Sequence, residues 1–300
     1  GGMSEGVINV WEWTEEHRDA FHPPVCNRLM HDQGQVQAMF VGGPNSRLDY
    51  HVEVAEEFFF QLRGDMCLEV VEQGRPRPLR IAQGHCFMLP PRIPHSPQRL
   101  ANTLGFVMER KRTGEEMDCM RWYVRDQGVQ GALVEPPQVL WEEWVAMRSL
   151  ASDMPPVMRK FAESQAAQEG VPAGEWMERV DQRPLLDDVE TQLEEPLCLQ
   201  DFLAEQDLTT GQPIRMFDQG HFKVWILGEG SISITESAPE FFCWQLQGAG
   251  AVVSLEPEAG RKIALEKEFD TVLVHSSAGV RVENPPGGVT MVLFVVQVQD

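Results

Sequence analysis

Hydrophobic and polar positions alternate in short runs over most of this chain, and the runs stop at glycine or proline. Met66-Cys67-Leu68-Glu69-Val70-Val71 gives way to Gln73-Gly74 and then to Leu79-Arg80-Ile81, the rhythm of strands joined by tight turns. Residues 3 to about 125 keep this texture and predict an antiparallel barrel. From about 126 to 200 it changes. Pro136-Pro137-Gln138-Val139-Leu140-Trp141-Glu142-Glu143-Trp144-Val145-Ala146-Met147 and Pro156-Val157-Met158-Arg159-Lys160-Phe161-Ala162 space their apolar groups as helices do, each behind a proline suited to a first turn. Trp141, Trp144 and Met147 are then expected to pack a helix against the barrel. Gly170 to Pro196, rich in acids and proline, reads as a tether, and strand-like runs return over 201–300. The expected organisation is a barrel with a helical extension over 3–178, a linker over 179–195 and a second barrel over 196–300. The fold class is mainly β, two antiparallel barrels or jelly rolls joined by a helical segment and linker.

Three residues in the first barrel could share a metal: His51, Glu57 and His95. On a regular strand His51 and Glu57 would lie roughly 20 Å apart at about 3.3 Å per residue, too far for one ion. The strand must therefore bend between them, and Val54-Ala55-Glu56 is the expected corner, because a lone Ala among acids gives a sheet little to pack. His95 follows the apolar run Cys86-Phe87-Met88-Leu89 and the turn Pro90-Pro91-Arg92-Ile93-Pro94, whose prolines fix the backbone and remove amide donors. Two imidazoles and a carboxylate form the facial set that suits Fe(II) and leaves positions open on an octahedral ion. His85 has no such company and reads as a surface or turn residue.

These stretches resemble the cupin signature. Six residues separate Glu57 from Gly64, which selects Glu57 over Glu53 and Glu56, and Gly84, Pro90 and His95 fit the second half with Arg92 where a glycine is usual. Glu53 stands where that signature has a second histidine. The strings Asn45-Ser46-Arg47-Leu48-Asp49-Tyr50-His51, Phe60-Gln61-Leu62-Arg63-Gly64-Asp65-Met66, Pro94-His95-Ser96-Pro97-Gln98-Arg99, Val25-Cys26-Asn27-Arg28-Leu29-Met30 and Gly105-Phe106-Val107-Met108-Glu109-Arg110 are similar to those of the 3-hydroxyanthranilate 3,4-dioxygenase family. The resemblance is dense from about residue 25 to 124 and rests on layout beyond that.

The second barrel repeats the first. Residues 61–95 lie on 245–279 without a gap, Gln61-Leu62-Arg63-Gly64 on Gln245-Leu246-Gln247-Gly248 and Phe87-Met88-Leu89 on Thr271-Val272-Leu273. That register sets Thr235, Phe241 and Gly279 against His51, Glu57 and His95, so the ligands are lost from the second half. His221 and His275 have no carboxylate at the right spacing. The chain reads as a bicupin with one working barrel, the layout of the family's animal form, which is a monomer.

Composition narrows the partners. A formal charge of −21 argues against nucleic acid and anionic membranes, and it makes local arginines necessary for any anionic substrate. With 42% hydrophobic residues the chain can fill two cores. Gly1-Gly2 before Met3 reads as a cloning remnant, no secretory leader is expected after it, and the apolar run from Val289 to Val298 is far short of the roughly 20 residues of a membrane span. The cysteines, Cys26, Cys67, Cys86, Cys119, Cys198 and Cys243, include no C-x-x-C pair and are expected to be free thiols, Cys67 and Cys86 packing in core strands. A cytoplasmic location is expected.

The resemblance implies an Fe(2+) enzyme that opens the ring of 3-hydroxyanthranilate with O2, between C3 and C4, giving 2-amino-3-carboxymuconate semialdehyde, the precursor of quinolinate in the kynurenine route to NAD. It implies that Arg47 and Arg99 bind the substrate carboxylate, a task a planar guanidinium performs with two parallel hydrogen bonds. Arg47 lies four residues before His51 and Arg99 four after His95, an even spacing that puts each on its ligand's strand face. Glu109 is implied as the group that contacts substrate and takes the phenol proton, and Asn27 as a residue lining the same pocket. Read without the family, Arg47 and Arg99 serve equally well as surface charges, and Glu109-Arg110-Lys111-Arg112 as a solvated run. Two rival classes stand beside this reading. Another cupin enzyme would usually carry a further histidine ligand, which Glu53 contradicts, and a non-catalytic or differently specific metal-binding bicupin would need neither Arg47 nor Arg99.

Overall fold

The computed structural model describes residues 6–24, 26–126, 131–256, 261–276 and 278–296; the Gly1-Gly2-Met3 start, Val25 and the end of the run to Val298 lie outside them. Two compact units account for the chain. One is Val41–Leu197, and the other joins the residues up to Phe40 to those from Cys198 onward. The amino-terminal segment thus groups with the second barrel, where the sequence pattern placed it with the first.

In Val41–Leu197 the run Glu57–Arg63 reads as a continuous aromatic stretch because both its faces are covered. It lies between His85–Leu89 and Leu104–Arg110, antiparallel to both. A second sheet runs in the order Val139–Val145, Asp118–Tyr123, Asp49–Val52, His95–Arg99, Met66–Glu72, Arg75–Ile81. Gly64, at φ 64°, turns the chain from the first sheet into the second. Residues 53–56 form the bend that the ligand spacing required, between Asp49–Val52 and Glu57–Arg63. The reason differs from the one expected: Glu53, Ala55 and Glu56 are all buried, so the corner is packed.

The stretch expected as the first helix is a strand. Val139–Val145 pairs antiparallel with Asp118–Tyr123, setting Trp141 opposite Trp122 with ring centroids 5.3 Å apart. Glu142, which a helix would turn to water, is 2% exposed and takes charge from Arg121 at 2.8 Å and Arg183 at 2.6 Å. The second expected helix is present as Leu150–Ala162, but its prolines, Pro155 and Pro156, sit beyond the first turn. It starts early because Asp153 accepts the backbone N–H groups of Arg148 and Ser149 at 2.9 and 2.8 Å. Phe161 on this helix stacks on Trp122 at 4.1 Å, which binds the helical extension to the sheet.

The tether also departs from its expected form. Glu175–Gln182 is a short 3-10 helix, and the chain after it is tied to the barrel: Asp187 to Arg121 at 2.5 Å, Asp188 N–H to the Arg92 carbonyl at 3.0 Å, Leu193 N–H to Glu72 at 2.5 Å, and Glu195 to Arg77 at 2.5 Å.

The second unit repeats the core strand order of the first, without counterparts to Asp118–Tyr123 and Val139–Val145 among the described residues. Asp270–His275, Glu240–Gln247 and Val289–Val295 lie side by side as His85–Leu89, Glu57–Arg63 and Leu104–Arg110 do, and Gly230–Ile234, Val280–Asn284, Ala251–Leu255 and Lys262–Leu265 follow the order of Asp49–Val52, His95–Arg99, Met66–Glu72 and Arg75–Ile81. The strand order repeats and the fold is a bicupin, but the register read from sequence slips by a residue in places: Glu57 pairs with Leu89 while Phe241 pairs with Val274, and Glu57 with Glu109 while Phe241 pairs with Phe294. Phe241, at the place of Glu57, is fully buried against Phe294 at 5.2 Å, in a cluster with Trp225, Val253 and Val282. Apolar packing fills the interior where the first barrel keeps polar groups. No helix among the described residues is long and apolar enough to cross a membrane.

Candidate metal centre

His51, in the strand Asp49–Val52, is paired directly with His95, the first residue of His95–Arg99. This register sets the two imidazoles at a centroid distance of 6.0 Å. Glu57 opens the strand that follows the bend, and its Oε2 lies 3.2 Å from His95 Nε2. Glu53 enters as well: ligand atoms of His51, Glu53 and His95 lie within 4.8 Å of one another. The site therefore holds two carboxylates beside two imidazoles, where the sequence reading gave Glu57 alone as a ligand.

The two carboxylates are engaged differently. Glu53 places Oε1 3.4 Å from His51 Nδ1 and Oε2 3.1 Å from an Arg112 guanidinium nitrogen. Both Glu53 Oε2 and Glu57 Oε2 are buried without a hydrogen bond of standard geometry, and Glu57 Oε2 faces the imidazole nitrogen of His95. The other ring nitrogen of His95, Nδ1, lies 3.0 Å from the Ile93 carbonyl, which can only accept, so Nδ1 carries the proton and Nε2 is the atom offered to Glu57. Burial disfavours a positive charge on His95, but the hydrogen bond and charge of Glu57, with Glu53, outweigh it and lift the imidazole to about 9. Burial and the nearby Arg47 push His51 the other way. Two imidazoles and two carboxylates gathered in this way are donor types that suit a first-row divalent metal.

Around this centre the arginines are not surface charges. Arg99 closes its strand at 4% exposure, donates from Nη1 to Gln61 Oε1 at 3.0 Å, and keeps a buried Nε without a partner. Burial lowers its basicity to about 10, with Glu57 resisting. Arg47 precedes the strand Asp49–Val52 instead of lying within it, pairs through Nε with Asp49 at 3.1 Å, and sets Nη2 2.7 Å from His51 Nε2. Glu109 sits opposite Glu57 in the sheet register and is 4% exposed; burial raises its carboxyl to about 8 against the pull of Arg112. Asn27 is exposed on Asn27–His31, which groups with the other compact unit.

Arg112 is the residue that sequence reasoning missed. Read as part of a solvated run, it is 5% exposed in its side chain and meets Glu53, Glu109 and Asp118 at 3.1, 2.9 and 2.7 Å. Its spacing from Glu109 was the available signal. His85 begins a strand and is partly buried, with Nδ1 3.2 Å from the Gln83 carbonyl, while Cys86 is buried and Cys67 partly so in the expected strands.

Comparison with known proteins assigns the family. The family model described as 3-hydroxyanthranilic acid dioxygenase matches residues 3–162. The human protein named 3-hydroxyanthranilate 3,4-dioxygenase is 37% identical over 290 residues, 96% of this chain and 95% of its own. The Nematostella vectensis protein of the same name is 38% identical over 95% of this chain and 98% of its own, and that of Xenopus laevis 40% over 82% and 84%. Among solved structures an oxalate decarboxylase aligns over 91% of this chain and 73% of its own, at a TM-score of 0.45 and 12% identity. The fold assignment rests on the sheet order described above, and the family on the sequence match, which spans more than half of the chain: it belongs to the 3-hydroxyanthranilic acid dioxygenase family.

Proposed function

We propose that this chain is an Fe(II)-dependent dioxygenase that converts 3-hydroxyanthranilate and O2 into 2-amino-3-carboxymuconate semialdehyde, both oxygen atoms entering the product, and so supplies quinolinate for NAD synthesis. The observation that carries the reading is the gathering of His51, Glu53 and His95 within ligand distance, with Glu57 3.2 Å from His95 and Arg99 buried, in a chain of this family. His51, Glu57 and His95 would hold the iron, and iron so held would supply open positions at which the adjacent hydroxyl and amino groups of the substrate and dioxygen can meet. The remaining work belongs to the chain. Arg99 and Arg47 grip the substrate carboxylate, and the buried Arg99 does so in a setting of low dielectric where the pair is strong. Glu109, raised by burial, accepts the phenol proton, and Arg112 at 2.9 Å answers the charge it carries as a carboxylate. The free thiols support a reducing, cytoplasmic compartment, and the second barrel in the same chain supports a monomer.

Loading with Fe(II) under anaerobic conditions, followed by 3-hydroxyanthranilate and air, tests the reading through the absorbance of the semialdehyde. Product from the wild type and none from His95→Ala is expected; no product from iron-loaded wild type would overturn the assignment.

A further inference from the structure

The Arg112 guanidinium binds carboxylates from three separate parts of the barrel. Nη2 meets Glu53 Oε2 at 3.1 Å, Nη1 meets Glu109 Oε2 at 2.9 Å, and Nε meets Asp118 Oδ2 at 2.7 Å, while Nη1 also donates to the Arg110 carbonyl at 2.6 Å. Asp118 in turn accepts the Val54 N–H at 3.3 Å, so the bend between His51 and Glu57 is fixed to the same cation. A planar fork can hold three anions in set directions, which the point charge of a lysine cannot. Glu53 has Oε1 3.4 Å from His51 Nδ1 and Oε2 in an ion pair with Arg112 at 3.1 Å, without a hydrogen bond. It already lies within ligand distance of both imidazoles, and the charge of the fork is what opposes its use as a ligand.

We infer that Arg112 is a positioning residue that selects the metal's carboxylate: it holds Glu53 as an outer support of His51 and leaves Glu57 to be the ligand. The inference rests on the proposed His51, Glu57 and His95 set. Loss of the fork lets Glu53 turn inward and take a position that substrate needs. Metal is then retained while turnover falls, the reverse of what removing a ligand does.

The test measures Fe(II) affinity by chelator competition, alongside steady-state turnover, in the wild type, Arg112→Met, Arg112→Lys, Glu53→Gln, Glu57→Gln and the double variant Arg112→Met/Glu53→Gln. Glu53→Gln is expected to weaken metal binding by about tenfold, as outer supports do, and Glu57→Gln by far more. Arg112→Met is expected to bind metal as tightly as the wild type or tighter, with kcat/KM down by about 100-fold, the upper range for such supports. Glu53→Gln in that background restores at least part of the loss, because the competing anion is gone. Equal metal loss in Glu53→Gln and Glu57→Gln would overturn the inference, as would a double variant no better than Arg112→Met. Should Arg112→Met fail to fold, Arg112→Lys with and without Glu53→Gln decides by the same comparison. A wild type that binds iron but makes no product refutes the proposed reaction, while the affinity comparison still judges Arg112.

Discussion

A single methyl group at Gly105 should unseat Arg99 and leave the barrel standing. Built on the backbone, the Cβ of Gly105→Ala would lie 2.5 Å from Gln61 Oε1 and 2.7 Å from Arg99 Nη1. Those are closer than nonbonded atoms approach, and both are ends of flexible side chains, so they move and the strand Leu104–Arg110 stays. Gly105 is not among the residues of positive φ, so alanine fits the backbone and restricts the unfolded chain, worth about 0.4–1 kcal/mol. Loss of the Arg99 to Gln61 hydrogen bond at 3.0 Å costs about 1.5–3 kcal/mol. The two terms partly cancel, and the net destabilisation should stay below about 3 kcal/mol. Catalysis has no such offset. A displaced Arg99 forfeits its charge-assisted grip on the substrate carboxylate, about 1.5–3 kcal/mol, or roughly 10- to 150-fold in kcat/KM. The loss should fall mainly on KM, since the carboxylate is held in ground and transition states alike. Steady-state kinetics with 3-hydroxyanthranilate reads the loss, and inhibition by 2-aminophenol, which has no carboxylate, supplies the control. An inhibition constant for 2-aminophenol that worsens as much as KM for 3-hydroxyanthranilate would refute the reasoning, because the damage would then lie in the metal centre.

Three further perturbations follow from other parts of the molecule. Gly34→Ala puts a Cβ 1.3 Å from Glu240 Oε1 and should expel that carboxylate from the N–H groups of Gln35 and Val36; urea unfolding should show a loss of about 2–4 kcal/mol with kcat per iron unchanged, and an unaltered midpoint would count against the account. Phe161→Ala removes the ring stacked on Trp122 and should cost about 2 kcal/mol, less than the 3–5 of a fully buried ring because Phe161 is partly exposed; thermal unfolding checks it. The Glu116 carboxyl is held down to about 2, chiefly by hydrogen bonds from Arg110, against a small opposing effect of burial. Its folded pKa lies below its unfolded one of about 4.5, so its contribution is whole above that pH and fades as pH falls toward about 2. The stability gap between wild type and Glu116→Gln, about 1 kcal/mol for this partly buried pair, should therefore shrink on acidification; a gap that widens would contradict the sign.

The ligand residues were legible because strand geometry is local. An even spacing, a forced bend and a glycine after six intervening residues are properties of one stretch of chain, and they single out His51 and Glu57 as candidates, whereas Glu53, which the structure sets within ligand distance of both imidazoles, was passed over. Where pairing is remote the sequence was silent. Val139–Val145 looks helical because its strand partner, Asp118–Tyr123, lies across an intervening loop and because Glu142 is neutralised by Arg121 and Arg183. Arg112 looked solvated for the same reason, since Glu53 lies far off in sequence. Arg92 marks the boundary between the two cases. It occupies a position where glycine is usual, and the structure gives it φ 66°, the left-handed region that glycine favours, held by its own N–H on the Glu53 carbonyl at 2.7 Å.

The chain that follows the 3-10 helix matters for how this protein can be cut. Asp187 shares the charge of the buried Arg121, Arg183 shares that of Glu142, and the Asp188 N–H steadies the Arg92 carbonyl three residues before His95. A fragment ending at 178, where the sequence pattern places a domain boundary, would take one partner each from Arg121 and Glu142, leaving them only each other as charged partners, and loosen the turn that presents His95. The compact unit Val41–Leu197 includes all of these partners. What reads as a spacer behaves as a clasp, and a protease that severed it would disarm the metal barrel without touching a single strand of it.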